Sequence, residues 1–141
     1  MDDNIERLAY FLAQQVALYF EKISMKKIVI HSQNRDFGAL IRGLLADVEA
    51  QLQITTSRLE LMRLCRLSSY DLLLTDDVRM FMNGTDAMEQ IRQGGFRPQV
   101  FIFSHDLSEE CVTALLEIGV NQFLTLPIAP ERLRRKINKE E

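Results

Sequence analysis

The chain has 141 residues, enough for one domain with a continuous core and too few for two. Hydrophobic residues make up 47% and charged ones 26%, a globular balance that excludes a disordered chain. A net charge of −3 speaks against nucleic-acid binding, and no apolar run reaches the length of a membrane span.

Residues 1–24 form an N-terminal amphipathic unit, helical over 4–24, set apart from a second unit over 25–141. Ile5, Leu8, Leu12, Val16, Tyr19 and Ile23 recur at spacings of three and four, which places them on one face. Ala9, Phe11, Ala13, Ala17, Leu18 and Phe20 widen that stripe beyond the need of a single packing face. Such a helix is not expected to stand alone in water. It packs on the domain that follows, on a second copy of itself, or on a partner. Met1-Asp2-Asp3 is acidic where a secretory signal would be basic. Cys65 and Cys111 read as buried thiols of a reducing compartment, so a cytoplasmic protein is expected.

From Lys26 onward strands and helices alternate. Ile28-Val29-Ile30 is a buried strand, followed by an amphipathic helix through Phe37, Leu40, Ile41, Leu44, Leu45 and Val48. A more exposed strand over Leu52–Thr56 precedes a helix carrying Leu61, Met62, Leu64 and Cys65. Asp71 to Thr75 forms the next buried strand and runs into Asp76-Asp77. A loop through Asn83-Gly84 leads to a helix around Ala87, Met88 and Ile91, which Gly94-Gly95 stops. Val100–Phe103 is a strand ending at Ser104. Asp106 and Ser108 can cap the helix after it, which buries Cys111, Val112, Leu115 and Leu116 and ends at Gly119. Gln122–Thr125 is the last strand, and Pro130 opens a final helix with Leu133 and Ile137.

Five strands interleaved with five helices imply an open parallel sheet covered on both faces. Its functional site belongs beyond the carboxyl ends of the strands. Those ends carry His31-Ser32-Gln33, Asp76-Asp77, Ser104-His105 and Thr125-Leu126.

Tyr70 through Asp76, followed by Met82-Asn83-Gly84, resembles the acceptor strand and following turn of the receiver domains of response regulators. Ser104 stands where that family has its hydroxyl residue, and Phe123 stands where it has its aromatic switch. Thr125-Leu126-Pro127 is similar to its Thr-Lys-Pro segment. The resemblance spans residues 26–139. It implies a flavodoxin-like, doubly wound five-stranded parallel sheet of order 2-1-3-4-5, here with an extra N-terminal helix. It also implies a phosphoacceptor at Asp76, a switch pair Ser104 and Phe123, and a signalling role in place of an enzyme.

The same resemblance shows what has been replaced. Receivers hold Mg²⁺ with an acidic pair after the first strand, and a lysine from the last strand meets the phosphoryl group. Ser32 and Gln33 replace the pair, and Leu126 replaces the lysine. Mg²⁺ wants carboxylate oxygens, so no cofactor or metal is expected. Losing one electrostatic contributor to phosphoryl transfer costs on the order of a hundredfold to a thousandfold in rate. The expectation is a pseudo-receiver of a two-component or phosphorelay system, acting by protein–protein contact, with Asp76 vestigial and Ser32, Gln33, Asp77, Ser104 and Leu126 lining its pocket. The alternative is a working receiver phosphorylated at Asp76 by a histidine kinase or phosphotransfer protein. A small-molecule module using the same cleft is a third, weaker reading.

Asp77 has the opposite strand parity, so it is expected to turn from the pocket and cap or solvate the loop. His31 and His105 flank Asp76 closely enough to raise a metal site, but local hydrogen bonds are the favoured reading. Arg132, Arg134, Arg135 and Lys136 form a basic run on the last helix, read as a solvated face that also suits contacts. The expected partner is a kinase, phosphotransfer protein or output protein, or a second copy paired through the N-terminal or last helix. No output domain is visible in the chain, which fits either a stand-alone module or a piece of a longer regulator.

Overall fold

The computed structural model describes residues 3–82, 86–93 and 97–138, with the backbone alone over 19–24. The long helix α1 (Asp3–Ser24) leads into β1 (Lys26–His31), α2 (Arg35–Leu44), β2 (Ala50–Thr55), α3 (Arg58–Leu67) and β3 (Leu72–Thr75). A 3-10 turn over Val78–Phe81 follows, then α4 (Ala87–Ile91), β4 (Gln99–Ser104), α5 (Glu109–Glu117), β5 (Gln122–Thr125) and α6 (Pro130–Asn138). The 3-10 turn has no counterpart in the sequence reading. The Asn83-Gly84 loop and the Gly94-Gly95 stop lie outside the described residues.

Side-chain caps set the starts of α2, α3 and α5. Asn34 accepts from the Asp36 amide at 2.9 Å and Ser57 from the Glu60 amide at 3.1 Å. Ser108 accepts from the Cys111 amide at 3.1 Å, whereas the Asp106 amide donates to Ser104 Oγ at 3.3 Å, so Ser108 is the cap of α5. Gly119 follows α5 with φ of +109°, and its carbonyl accepts from the Arg92 guanidinium at 2.9 Å. A Cβ there would meet that guanidinium, so both conformation and space favour glycine.

The five strands are parallel in the order β2-β1-β3-β4-β5, the expected order. Alternation divides the core in two. Ile28, Ile30, Leu72, Leu74, Phe101, Phe103 and Leu124 face α2 and α6, where Ile41, Leu45, Leu133 and Ile137 close over them. Val29, Leu73, Val100 and Ile102 face α3, α4 and α5, against Leu61, Cys65, Ile91 and Leu115. Both cysteines are free; Cys65 is buried, while Cys111 is only half-buried.

Helix α1 departs from the first expectation for it. Every residue from Asp3 to Leu18 is exposed, Ile5 to 67%. It does not lie on the domain that follows. No helix among the described residues is long and apolar enough to cross a membrane.

Candidate functional site

Strand register gathers the candidate residues. His31 pairs with Thr75, Thr75 with Ile102, and Ser104 with Thr125. The residues immediately beyond, Ser32, Asp76, His105 and Leu126, therefore leave the sheet at one end. Asp76 sits half-buried at the mouth of β3. Among the described residues, no salt bridge reaches its carboxylate.

The neighbours of Asp76 are committed elsewhere. Ser32 is buried; its Oγ accepts from the Asn34 amide at 3.0 Å, and its own amide donates to the Thr55 carbonyl at 3.2 Å. Gln33 is exposed. Leu126 is half-buried and packs against the core beneath α2 and α6, just before a cis peptide to Pro127. Ser104 and Phe123 line one small cavity of about 130 Å³ with Leu107, Val112 and Thr125. Phe123 also packs on the core beneath α3, α4 and α5.

The strongest polar constellation centres on Asp77, one residue further on. Asp77 is 8% exposed and does not cap or solvate its loop, contrary to the sequence reading. Its amide donates to Thr75 Oγ1 at 3.0 Å, which turns the chain inward as β3 ends. Its carboxylate accepts two bonds from Arg58 at the start of α3, from Nε and Nη2, each 2.9 Å. The same carboxylate lies 3.1 Å from His31 Nε2, and His31 Nδ1 lies 2.9 Å from Thr55 Oγ1. Both nitrogens of the fully buried His31 ring are therefore engaged. Burial pushes the Asp77 carboxyl upward, but the bonds from Arg58 and then from His31 outweigh it and hold it below the usual carboxylate range.

This clasp ties four elements together: the end of β1, the end of β2, the start of α3 and the loop after β3. The favoured local-hydrogen-bond reading holds for His31. His105 is exposed on the far side of Ser104 and does not join it, and no group of three or more metal-ligating side chains stands together among the described residues. The sequence reading missed Arg58 altogether. The available signal was parity, since His31 shares the inward face of Val29 and a buried histidine needs polar partners.

A model of the response regulator receiver domain matches residues 28–138. The chain belongs to this family. A response regulator receiver protein of Anaeromyxobacter sp. (strain Fw109-5) is 24% identical over 109 residues, covering 77% of this chain and 46% of that protein. The chain thus spans about half the length of the curated relative it matches. Among solved structures, the signal receiver domain of a putative LuxO repressor protein from Vibrio parahaemolyticus aligns with a TM-score of 0.69 and 18% identity. That alignment covers 82% of this chain and 88% of that one. The chemotaxis protein CheY4 of Vibrio cholerae aligns at 0.68 and 15% identity, covering 82% and 98%. Receiver domains are signalling modules of two-component systems that work through other proteins, such as kinases and output domains.

Proposed function

We propose that this receiver domain works as an interaction module of a two-component or phosphorelay system, with a degenerate phosphorylation pocket around Asp76. The observation that carries the reading is the state of the replaced positions. Ser32 is bound into its own turn, Gln33 is exposed, and Leu126 packs on the core, so none supplies an anionic metal ligand or a cation. One carboxylate with neutral oxygens is a poor site for Mg²⁺, whose dehydration needs more charge to offset it. Among the described residues no salt bridge brings a cation to Asp76 that could neutralise a transferred phosphoryl group.

In this reading the module acts in the cytoplasm and signals through its surface, by binding a kinase, a phosphotransfer protein, an output protein or a second copy of itself. Two surfaces suit such contacts. One is the apolar α1. The other is α6, where Arg132 and Arg135 are exposed and Arg134 reaches Asp47 at 3.1 Å.

The alternative, a switch phosphorylated at Asp76 by a histidine kinase or phosphotransfer protein, is favoured by one feature. Ser104 and Phe123 share a cavity, as a coupled hydroxyl and aromatic pair would need. Treatment with a small phosphodonor, with and without Mg²⁺, followed by intact mass, separates the two. The interaction module gains no phosphoryl group. A stable gain that disappears in Asp76→Ala establishes the switch and overturns the degenerate-pocket reading.

A further inference from the structure

Asp76 is joined to α4 by the segment that follows it, and the described part of that segment, 77–82, has little regular structure of its own. Its amides bond locally. Val78 donates to the Asp76 carbonyl at 3.0 Å, Met80 to the Asp77 carbonyl at 3.3 Å and Met82 to the Arg79 carbonyl at 3.2 Å. The geometry of such 3-10 bonds is poorer than that of a helix, so a short turn of this kind is weakly held by itself. Met80 and Phe81 are buried in the core beneath α3, α4 and α5. The polar tie between the segment and the rest of the domain is the Asp77 side chain.

That tie has two unequal halves. The His31 half is fully buried. An ionised carboxylate only accepts, so His31 Nε2 donates to it, and in the neutral ring Nδ1 accepts from the Thr55 hydroxyl. The ring is thus fixed at both nitrogens between the ends of β1 and β2. The Arg58 half is open to solvent, with the side chain 43% exposed. Arg58 is the first residue of α3, where the helix dipole disfavours a cation. The Asp77 carboxylate offsets that cost, and Nε and Nη2 meet its two oxygens as a fork, each at 2.9 Å. A forked pair fixes the orientation of the carboxylate as well as its place.

We infer that Arg58 and Asp77 form a latch that keeps residues 76–82 in one conformation, and that letting go of Arg58 frees this segment while the sheet stays folded. The buried His31 bond is the fixed half, and the guanidinium that solvent reaches is the half that opens. The inference deepens the interaction-module reading, and rests on it for its signalling meaning, by naming what holds the module in a single state. Its test reads backbone opening. A phosphorylation result therefore leaves it standing, and its failure leaves the degenerate pocket standing.

Amide hydrogen exchange of the full chain, followed residue by residue by NMR, tests the latch. Arg58→Met keeps an apolar stem and removes both bonds to Asp77. The Val78, Met80 and Met82 amides should then exchange on the order of 10-fold faster, the factor that loss of charge-assisted bonds at a part-exposed site allows. Ile137→Val separates local opening from unfolding, because it trims the core on the other face of the sheet and weakens the domain as a whole. It should speed the amides of β1 and β3 that exchange by unfolding, and leave Val78, Met80 and Met82 as they were. An unchanged rate at these three amides in Arg58→Met overturns the latch. Equal acceleration of them by Ile137→Val overturns it too, since the segment would then open only with the whole domain.

Discussion

Asp76 and Asp77 are adjacent in the chain and live in different surroundings. Asp76 stands half-buried with no ion pair among the described residues, while Asp77 is buried under Arg58 and against His31. Strand alternation sends the two side chains to opposite sides of the sheet end, one toward the mouth of the cleft and one toward the core beneath α3. The comparison teaches that a family's functional position and a chain's structural anchor can be neighbours without sharing a role. In this protein the polar bonds have gathered on the anchor.

The largest effect that tests the comparison is removal of Asp77. Asp77→Ala leaves the buried His31 imidazole without its Nε2 partner and releases a guanidinium that solvent reaches, and an unsatisfied buried polar group costs about 1–3 kcal/mol. Urea unfolding should show a drop of that order. A loss under about 1 kcal/mol would mean that the clasp is replaceable by water. Arg58→Met comes next. The Arg58 side chain is 43% exposed, so solvent screens the pair and the expected loss is nearer about 1–2 kcal/mol. Acid then follows. Because the folded Asp77 carboxyl titrates below its ordinary value of 3.8, its contribution is present above that pH and is lost as pH falls through the lower folded value. Stability measured from pH 6 down to pH 2, through the usual carboxylate range, should fall along an acid limb that flattens in Asp77→Asn. The smallest effect belongs to Asp76→Ala, expected to change unfolding free energy by less than about 0.5 kcal/mol. A destabilisation comparable with that of Asp77→Ala would erase the distinction between the two aspartates.

Much of the fold was legible because each strand and helix announces itself by period. The short all-apolar runs at Ile28–Ile30, Leu72–Leu74 and Val100–Phe103 read as strands buried on both faces, and the observed strand order follows the family frame. The start of β2 was read two residues late because Ala50 and Gln51 lack the expected alternation and are held in the sheet by pairing with Lys26 and Lys27. That Asp76 follows β3, Ser104 closes β4 and Phe123 lies on β5 was legible from the strand pattern. The clasp was not, because Arg58 lies 19 residues from Asp77 and His31 lies 46 away. Their meeting is made by the parallel register of β1, β2 and β3, which no local pattern encodes. Parity alone placed Asp77 away from the cleft, but it did not say whether solvent or a buried cation waited there.

The two thiols differ enough to give the molecule a built-in spectroscopic handle. Cys65 is 4% exposed, and burial pushes it up to about 11, so at pH 8 only about one in a thousand of its thiols is ionised and nucleophilic. Cys111 is half-buried on α5 and packs against the same core as Phe123. A maleimide dye added to the native chain should therefore mark α5 first. Its emission would report on the surroundings of Phe123 without any engineered cysteine.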